Sequence, residues 1–220
     1  SHHGRTPPCA DRIIRAGVRK VIVACTDPNP RVHGQGIARL RAAGIEVVTS
    51  IGEEEAESRL YRPFFKWIRT GRPYVTLKYA MTLDGKIACQ SGHARWISGE
   101  ESRAHAHRLR KENQAILIGA GTVRADDPEL SYRNGDPDPR FQPLRVVVTS
   151  DGQGISGKKV LRQEGRVILL HSGVCTISGI TDTILQKKFD GTIDDLLTVL
   201  GKSEVVSLLV EGGQNILNQF

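Results

Sequence analysis

Four places along the chain carry groups that could do chemistry. Cys9 follows Pro7 and Pro8, which pre-set a helix start, so its thiol falls in a first turn where backbone amides favour the thiolate. A small buried core residue is the competing reading of a lone cysteine. Lys78 is the odd charge in the apolar run YVTLKYA: its amine sits at an edge in water, or is a cation aimed into a site. In QAILIGAGTVRADDP a buried strand runs into Gly119-Ala120-Gly121, a turn that lets a ligand approach the backbone closely. Thr122 follows where amides point outward, and Asp126, Asp127 and Pro128 close the segment. In EVVSLLVEGG the strand ends at Glu211, Gly212 and Gly213 follow, and a helix begins. Strand, glycines and helix start make a pyrophosphate site, because unpaired amides and the positive end of the helix dipole face the anion. The spacing is not GxGxxG, so a Rossmann domain does not follow.

The elements that must position these groups read as α/β. KVIVAC is a continuous apolar run suited to a strand buried on both faces; a helix over residues 37–43, the strand IEVVTSIG and a helix interrupted around Pro63 follow it. After residue 71 a second unit opens. YVTLKYA turns at Asp84-Gly85 into a second strand, KIACQ, and Trp96 lies in an exposed loop. Ser98 and Glu101 match a capping box for the helix SGEESRAHAHRLRKEN. His105 and His107 are two apart on it and face different sides, a poor metal pair, so a solvated face is the preferred reading. RVVVTS, RVILLHS and EVVSLLVEGG are further strands, with a helix over Ile193–Lys202. Together these parts describe a crevice for a phosphorylated, ring-bearing ligand.

Composition narrows the class. A chain of 220 residues, 39% hydrophobic and 25% charged, is ordinary for a globular protein of one large or two modest domains. The net charge of +7 is dispersed among acids and aromatics are 5%, which argues against a nucleic-acid platform and allows an anionic small molecule. No apolar run approaches a membrane span, and four scattered cysteines form no framework, so a reducing cytoplasm is the default location. The opening without Met and a last helix barely begun give the expectation of an internal fragment of a longer protein.

HHGRTPPC, LKYAMTLDGKIA, WISGE, AILIGAGTVRADDPELSYR and LLVEGG, in this order, resemble the bifunctional riboflavin-biosynthesis deaminase–reductases. The resemblance implies a fold of two α/β parts: residues 1–71 as the back portion of a cytidine-deaminase-like domain, and residues 72–220 as the front part of a dihydrofolate-reductase-like domain. It implies zinc-dependent deamination of a diaminopyrimidinone, then NADPH-dependent reduction of the ribosyl group of 5-amino-6-(5-phosphoribosylamino)uracil to ribityl. Cys9 matches the last zinc ligand and Arg5 a basic position near the substrate phosphate; the other ligands lie outside this chain, so the deaminase half is expected to be inert.

In the reductase half Ala80, Trp96, Thr122, Asp126 and Ser150 match cofactor positions. Gly213, Gln214, Asn215, Ile216, Leu217, Asn218 and Gln219 match the pyrophosphate loop. Arg110, Leu130, Arg133 and Glu211 match substrate positions, with the arginines suited to two-pronged phosphate binding, and Lys78 and Glu211 carry the catalytic expectation. Trp96 packs on the cofactor in this reading, or else is a core residue. At the substrate position Ala94 the family usually has Ser; here Arg95 follows, and one hydrogen bond worth about 0.5–1.5 kcal/mol is lost or replaced. The implied partner is a phosphorylated pyrimidine, with homo-oligomers forming through the reductase and neither nucleic acid nor membrane involved. A non-catalytic nucleotide-binding scaffold or regulator, a nucleic-acid module and a pteridine reductase are the alternatives.

Overall fold

Residues 7–133, 142–178 and 181–220 are described by a computed structural model, which divides into two units, Ser1–Gly71 and Arg72–Phe220. In the first, α1 (Cys9–Arg15) ends where Gly17 adopts φ +67°, a value that suits glycine. β1 (Lys20–Val23), α2 (Gln35–Ala42) and β2 (Glu46–Thr49) follow, and the strands pair in parallel with Lys20 opposite Glu46. Ala10, Leu40 and Ile45 form a small core joined by Val21 and Val47. Burial of β1 is one-sided. Val21 points to this core, and Ile22, on the other face of the pleat, is 61% exposed, so the expectation of a strand buried on both faces is corrected. The interrupted helix is α3 (Glu53–Glu55), a π-turn (Ala56–Leu60) and α4 (Arg62–Thr70). Pro63 stands in the first turn of α4, where a missing N–H costs nothing.

The second unit is built on a six-stranded sheet in the order β3-β8-β4-β5-β6-β7, every pairing parallel. Its strands are β3 (Tyr74–Leu77), β4 (Ala115–Gly119), β5 (Leu144–Thr149), β6 (Val167–His171), β7 (Ile184–Lys188) and β8 (Ser207–Val210). The central strands are buried throughout, which is why they read as unbroken apolar runs. On one face Ile116, Ile118, Val147, Leu169 and Leu209 meet α5 (Glu100–Glu112) through Leu109, α6 (Ala120–Asp126) through Val123, and α7 (Lys159–Arg162) through Val160 and Leu161. On the other face Leu117, Val146, Ile168 and Leu208 meet α8 (Ile193–Lys202) through Leu196 and Leu200, and α9 (Gln214–Leu217) through Ile216 and Leu217. Burial of Leu196 and Leu200 contributes about 1.5–3 kcal/mol each. The Thr192 hydroxyl accepts from the Asp195 amide and starts α8. This layered sheet bears out the α/β expectation and agrees with a dihydrofolate-reductase-like architecture.

Three local expectations are corrected. KIACQ is not a strand: Thr82 and Lys86 close a self-contained turn, and residues 81–99 run irregularly to α5. The cap of α5 is Gly99 rather than Ser98, without a side-chain bond; Glu100 and Glu101 favour the helix start through the dipole instead. The Gly119-Ala120-Gly121 turn is absorbed into α6, whose N-cap is Gly119. One strand lay outside the sequence reading. β7 is an edge strand in which only Ile184 is buried and three of the five residues of ILQKK are polar, so it carries little apolar signal.

Candidate active site

Parallel strands all end on one edge of the sheet, and Lys78, Glu211, Gly119 and Ser150 stand along it. Leu77 is opposite Val210, and the Lys78 amide donates to the Val210 carbonyl (2.9 Å), so Lys78 and Glu211 are neighbours one step past their strands. The Glu211 amide donates to the Leu117 carbonyl (3.0 Å), and Gly119 is opposite Val148, two residues before Ser150. Lys78, Glu211, Gly119 and Ser150 therefore step across β3, β8, β4 and β5. After β4 the chain enters α6 on one face; after β8, its neighbour, it enters α9 on the other. That divergence is the topological switch point, where open α/β sheets form their ligand crevice.

The two walls of the crevice touch. The Gly213 amide donates to the Thr122 hydroxyl (3.2 Å), tying the head of α9 to the first turn of α6. Glycine is required behind them: a Cβ on Gly119 would come within 2.8 Å of Ile216, and one on Gly212 within 2.6 Å. A Cβ on Gly121 would meet nothing within 4 Å, so the α6 backbone faces open space there. Gln214 and Asn215 are exposed at the start of α9, where amides have no intrahelical partner, and Asn218 and Gln219 are exposed beyond it. Ile216 and Leu217 differ, because their side chains anchor α9 in the core and only their backbone is available to a ligand. Asp126, one turn beyond Thr122 and so on the same helix face, is exposed, as is Ser150.

Beside the crevice lies a charged cluster. Arg110 Nε donates to Glu211 Oε1 and Nη2 to Oε2, both at 2.7 Å, with the side chains 14% and 7% exposed. Its Nη1 donates to the Ser131 carbonyl. Arg110 is expected to grip a phosphate with both prongs; in this structure its fork is engaged by Glu211. Arg133 is 57% exposed and bonded to Glu129 at 2.8 Å, leaving donors toward solvent. Leu130 is 3% exposed within the core and holds φ +54°, so it contributes backbone, not side chain, to any ligand contact.

His107 is the residue that sequence reasoning missed. It stands one turn before Arg110 on α5, and its Nδ1 is buried, whereas His105 alone has the solvated position expected of both. Burial first, then Arg110 and Arg133, push its pKa below the ordinary histidine value; Glu211 opposes them and Lys78 adds to them. The usable signal was the three-residue spacing to Arg110, which puts both on one helix face.

Lys78, Ala80 and Met81 also line a groove of about 600 Å³ against Ser102, His105 and Leu109 of α5. A second hollow of about 450 Å³ is formed by residues 82–97, including Ala94, Arg95 and Trp96. Trp96 is 71% exposed with the Arg103 guanidinium 4.5 Å over its ring, so the core reading of this tryptophan is set aside. Arg103 is in turn held by the Ser98 carbonyl, which fixes the ring's backing.

In the first unit Cys9 is exposed at the head of α1, not buried. Arg5 lies outside the described residues. Among the described residues no three His, Cys, Asp or Glu side chains gather to hold a metal ion. A zinc site needs three protein ligands, so these residues do not fit one.

A two-faced parallel sheet with a crevice at its switch point defines an open α/β domain whose ligand side is the carboxyl edge of its strands. Residues 73–220 match the RibD C-terminal domain, and the chain belongs to that family. It is 40% identical to the riboflavin biosynthesis protein RibD of Bacillus amyloliquefaciens, over 100% of this chain and 61% of that protein. It is 41% identical to RibD of Aquifex aeolicus, over 100% of this chain and 62% of the other. A Thermotoga maritima crystal structure, described as a diaminohydroxyphosphoribosylaminopyrimidine deaminase/5-amino-6-(5-phosphoribosylamino)uracil reductase, superposes with a TM-score of 0.88 at 36% identity. That match covers 100% of this chain and 61% of the other, so the chain spans about three fifths of the length of these relatives.

Proposed function

We propose that the Arg72–Phe220 unit is an NADPH-dependent reductase of riboflavin biosynthesis, converting the ribosyl group of 5-amino-6-(5-phosphoribosylamino)uracil to ribityl. The observation that carries this reading is the Thr122–Gly213 contact at the switch point, directly beside Lys78 and the Arg110–Glu211 pair. The residues fit a dinucleotide: open backbone at Gly121, exposed Gln214 and Asn215 at a helix start, and no room behind Gly119 and Gly212 for a larger residue. Thr122, Asp126, Ser150, Ala80 and the 213–219 backbone would hold it, with Trp96 flanking. When bound, the nicotinamide supplies the hydride.

The protein's own part is placement and charge. Arg133 and Lys78 attract the sugar phosphate, and the free Arg133 donors bind it. Glu211, oriented by Arg110, stands beside the Lys78 backbone, where it can order the opened sugar while the Lys78 ammonium donates a proton to its oxygen. Ala94 leaves Arg95 to make the contact a hydroxyl would otherwise supply.

For the whole protein the reading adds zinc-dependent deamination, a cytoplasmic location, homo-oligomeric assembly and no nucleic-acid partner. The first unit would be part of the deaminase half, with no deamination step assigned to the residues described here. No described helix is long and apolar enough to cross a membrane. The test is NADPH oxidation by the chain with the ribosylaminouracil phosphate, alongside direct NADPH binding. Turnover is expected. Binding without turnover would favour a nucleotide-binding scaffold, and neither would end both readings.

A further inference from the structure

Among the described residues, one buried side-chain nitrogen or oxygen lacks a hydrogen-bond partner, and it is Nδ1 of His107. An orphaned buried polar atom needs a physical reason, because burial removes its water and nothing replaces it. Here the reason is in the surroundings. Arg110 comes from the same face of α5, Arg133 from the segment after α6, Lys78 from the end of β3 and Glu211 from the end of β8. Glu129 is bonded to Arg133, Lys111 lies over the Tyr132 ring, and His105 and Arg108 form a separate exposed pair. Around His107 the cations outnumber the carboxylates. A second proton on the ring would add one more positive charge to a site already positive, which together with burial holds the His107 pKa below the ordinary histidine value.

We propose that His107 is the proton-taking residue of this anion pocket: when an anionic phosphate or sulfate group binds beside Lys78 and Arg133, the ring becomes imidazolium. The inference rests on reading this cluster as the phosphate side of the substrate site. An arriving dianion reverses the sign of the local field, so the cations no longer oppose protonation and the anion favours it. The imidazolium then adds its charge to the attraction for the bound group. His107 is thereby a positioning residue that tightens the pocket once ligand has arrived and loosens it again on release. By reciprocity, whatever factor the anion adds to proton affinity, the proton adds to anion affinity.

The experiment uses the complete 220-residue chain and sulfate, which stays a dianion throughout the range and so brings no titration of its own. The His107 ring is followed by carbon-13 NMR across pH, with and without saturating sulfate, and assigned by comparison with His107→Gln. Expected is an upward shift of about one pKa unit, matched by sulfate binding about tenfold tighter at low than at high pH, a dependence that His107→Gln loses. Should His107→Gln fold poorly, through-bond assignment of the wild-type imidazole signals takes its place, and the wild-type titration decides the matter. Sulfate binding that Arg133→Ala weakens, with the His107 titration unmoved, overturns the inference and leaves the phosphate site standing. No saturable binding, or binding indifferent to Arg133→Ala, overturns both.

Discussion

Arg110 and Glu211, separated by 101 residues in the chain, meet in a two-pronged ion pair with both contacts at 2.7 Å. The carboxylate is 7% exposed, and removing its partner would leave a nearly buried charge uncompensated. Arg110→Met is expected to cost about 3–5 kcal/mol, read as a lower urea midpoint. The double variant Arg110→Met/Glu211→Leu should recover most of that stability while NADPH oxidation stays lost. Recovery of both would remove the pair from the reaction.

The glycines behind α9 make a prediction that separates two similar substitutions. In Gly119→Ala the new methyl meets Ile216 Cγ1 at 2.8 Å, an atom that Ile216→Ala deletes. In Gly212→Ala it meets Ile216 Cβ at 2.6 Å, an atom every non-glycine residue keeps. Each single variant should lose about 1–3 kcal/mol. Addition of Ile216→Ala should relieve the clash of the first and not that of the second, as measured by thermal unfolding of the paired variants and Ile216→Ala alone.

Thr122→Val keeps the shape of the side chain but removes the acceptor for the Gly213 amide. A stability loss of about 1 kcal/mol is expected, with weaker NADPH binding by fluorescence titration; Thr122→Ser should restore both. Unchanged cofactor affinity in Thr122→Val would detach the α6–α9 contact from the dinucleotide.

Trp96 is largely exposed, so Trp96→Ala should change unfolding free energy by no more than about 0.5 kcal/mol. Its effect should appear in NADPH affinity instead. A large stability loss would show that the ring and Arg103 hold the 81–99 segment together rather than wait for a ligand.

His107 makes the ligand-free protein sensitive to mild acid. Its folded pKa is depressed by burial and the neighbouring arginines, so the unfolded chain binds the proton more readily. Stability should therefore be full above the unfolded value of about 6.5 and fall as pH drops from there through the folded value, levelling off below it. Urea midpoints across this range should show the slope, and His107→Gln should reduce it.

Much of this was legible because burial writes itself into a parallel sheet. AILIG, VVV and SLLV are buried on both faces, so they stand out as apolar runs, and the glycines after β4 and β8 mark where backbone must pass close to a neighbouring residue. KIACQ misled because an Asp-Gly turn after one strand says nothing about whether the segment beyond it finds a pairing partner. His107 and Arg110 misled because both are polar residues on a polar helix, where sequence cannot distinguish a solvated side chain from one folded against a carboxylate 101 residues away.

By itself the chain of residues determined the parallel α/β class, the strand ends bearing Lys78 and Glu211, and the glycine positions, since each follows from local hydrophobicity and backbone freedom. Tertiary structure alone decided that β8 inserts between β3 and β4, and with it that Lys78 neighbours Glu211, that Thr122 meets Gly213 and that the Arg110 fork closes on a carboxylate. Strand order is a long-range choice made by packing on both faces of the sheet, and charge pairing follows from it. No local pattern encodes either.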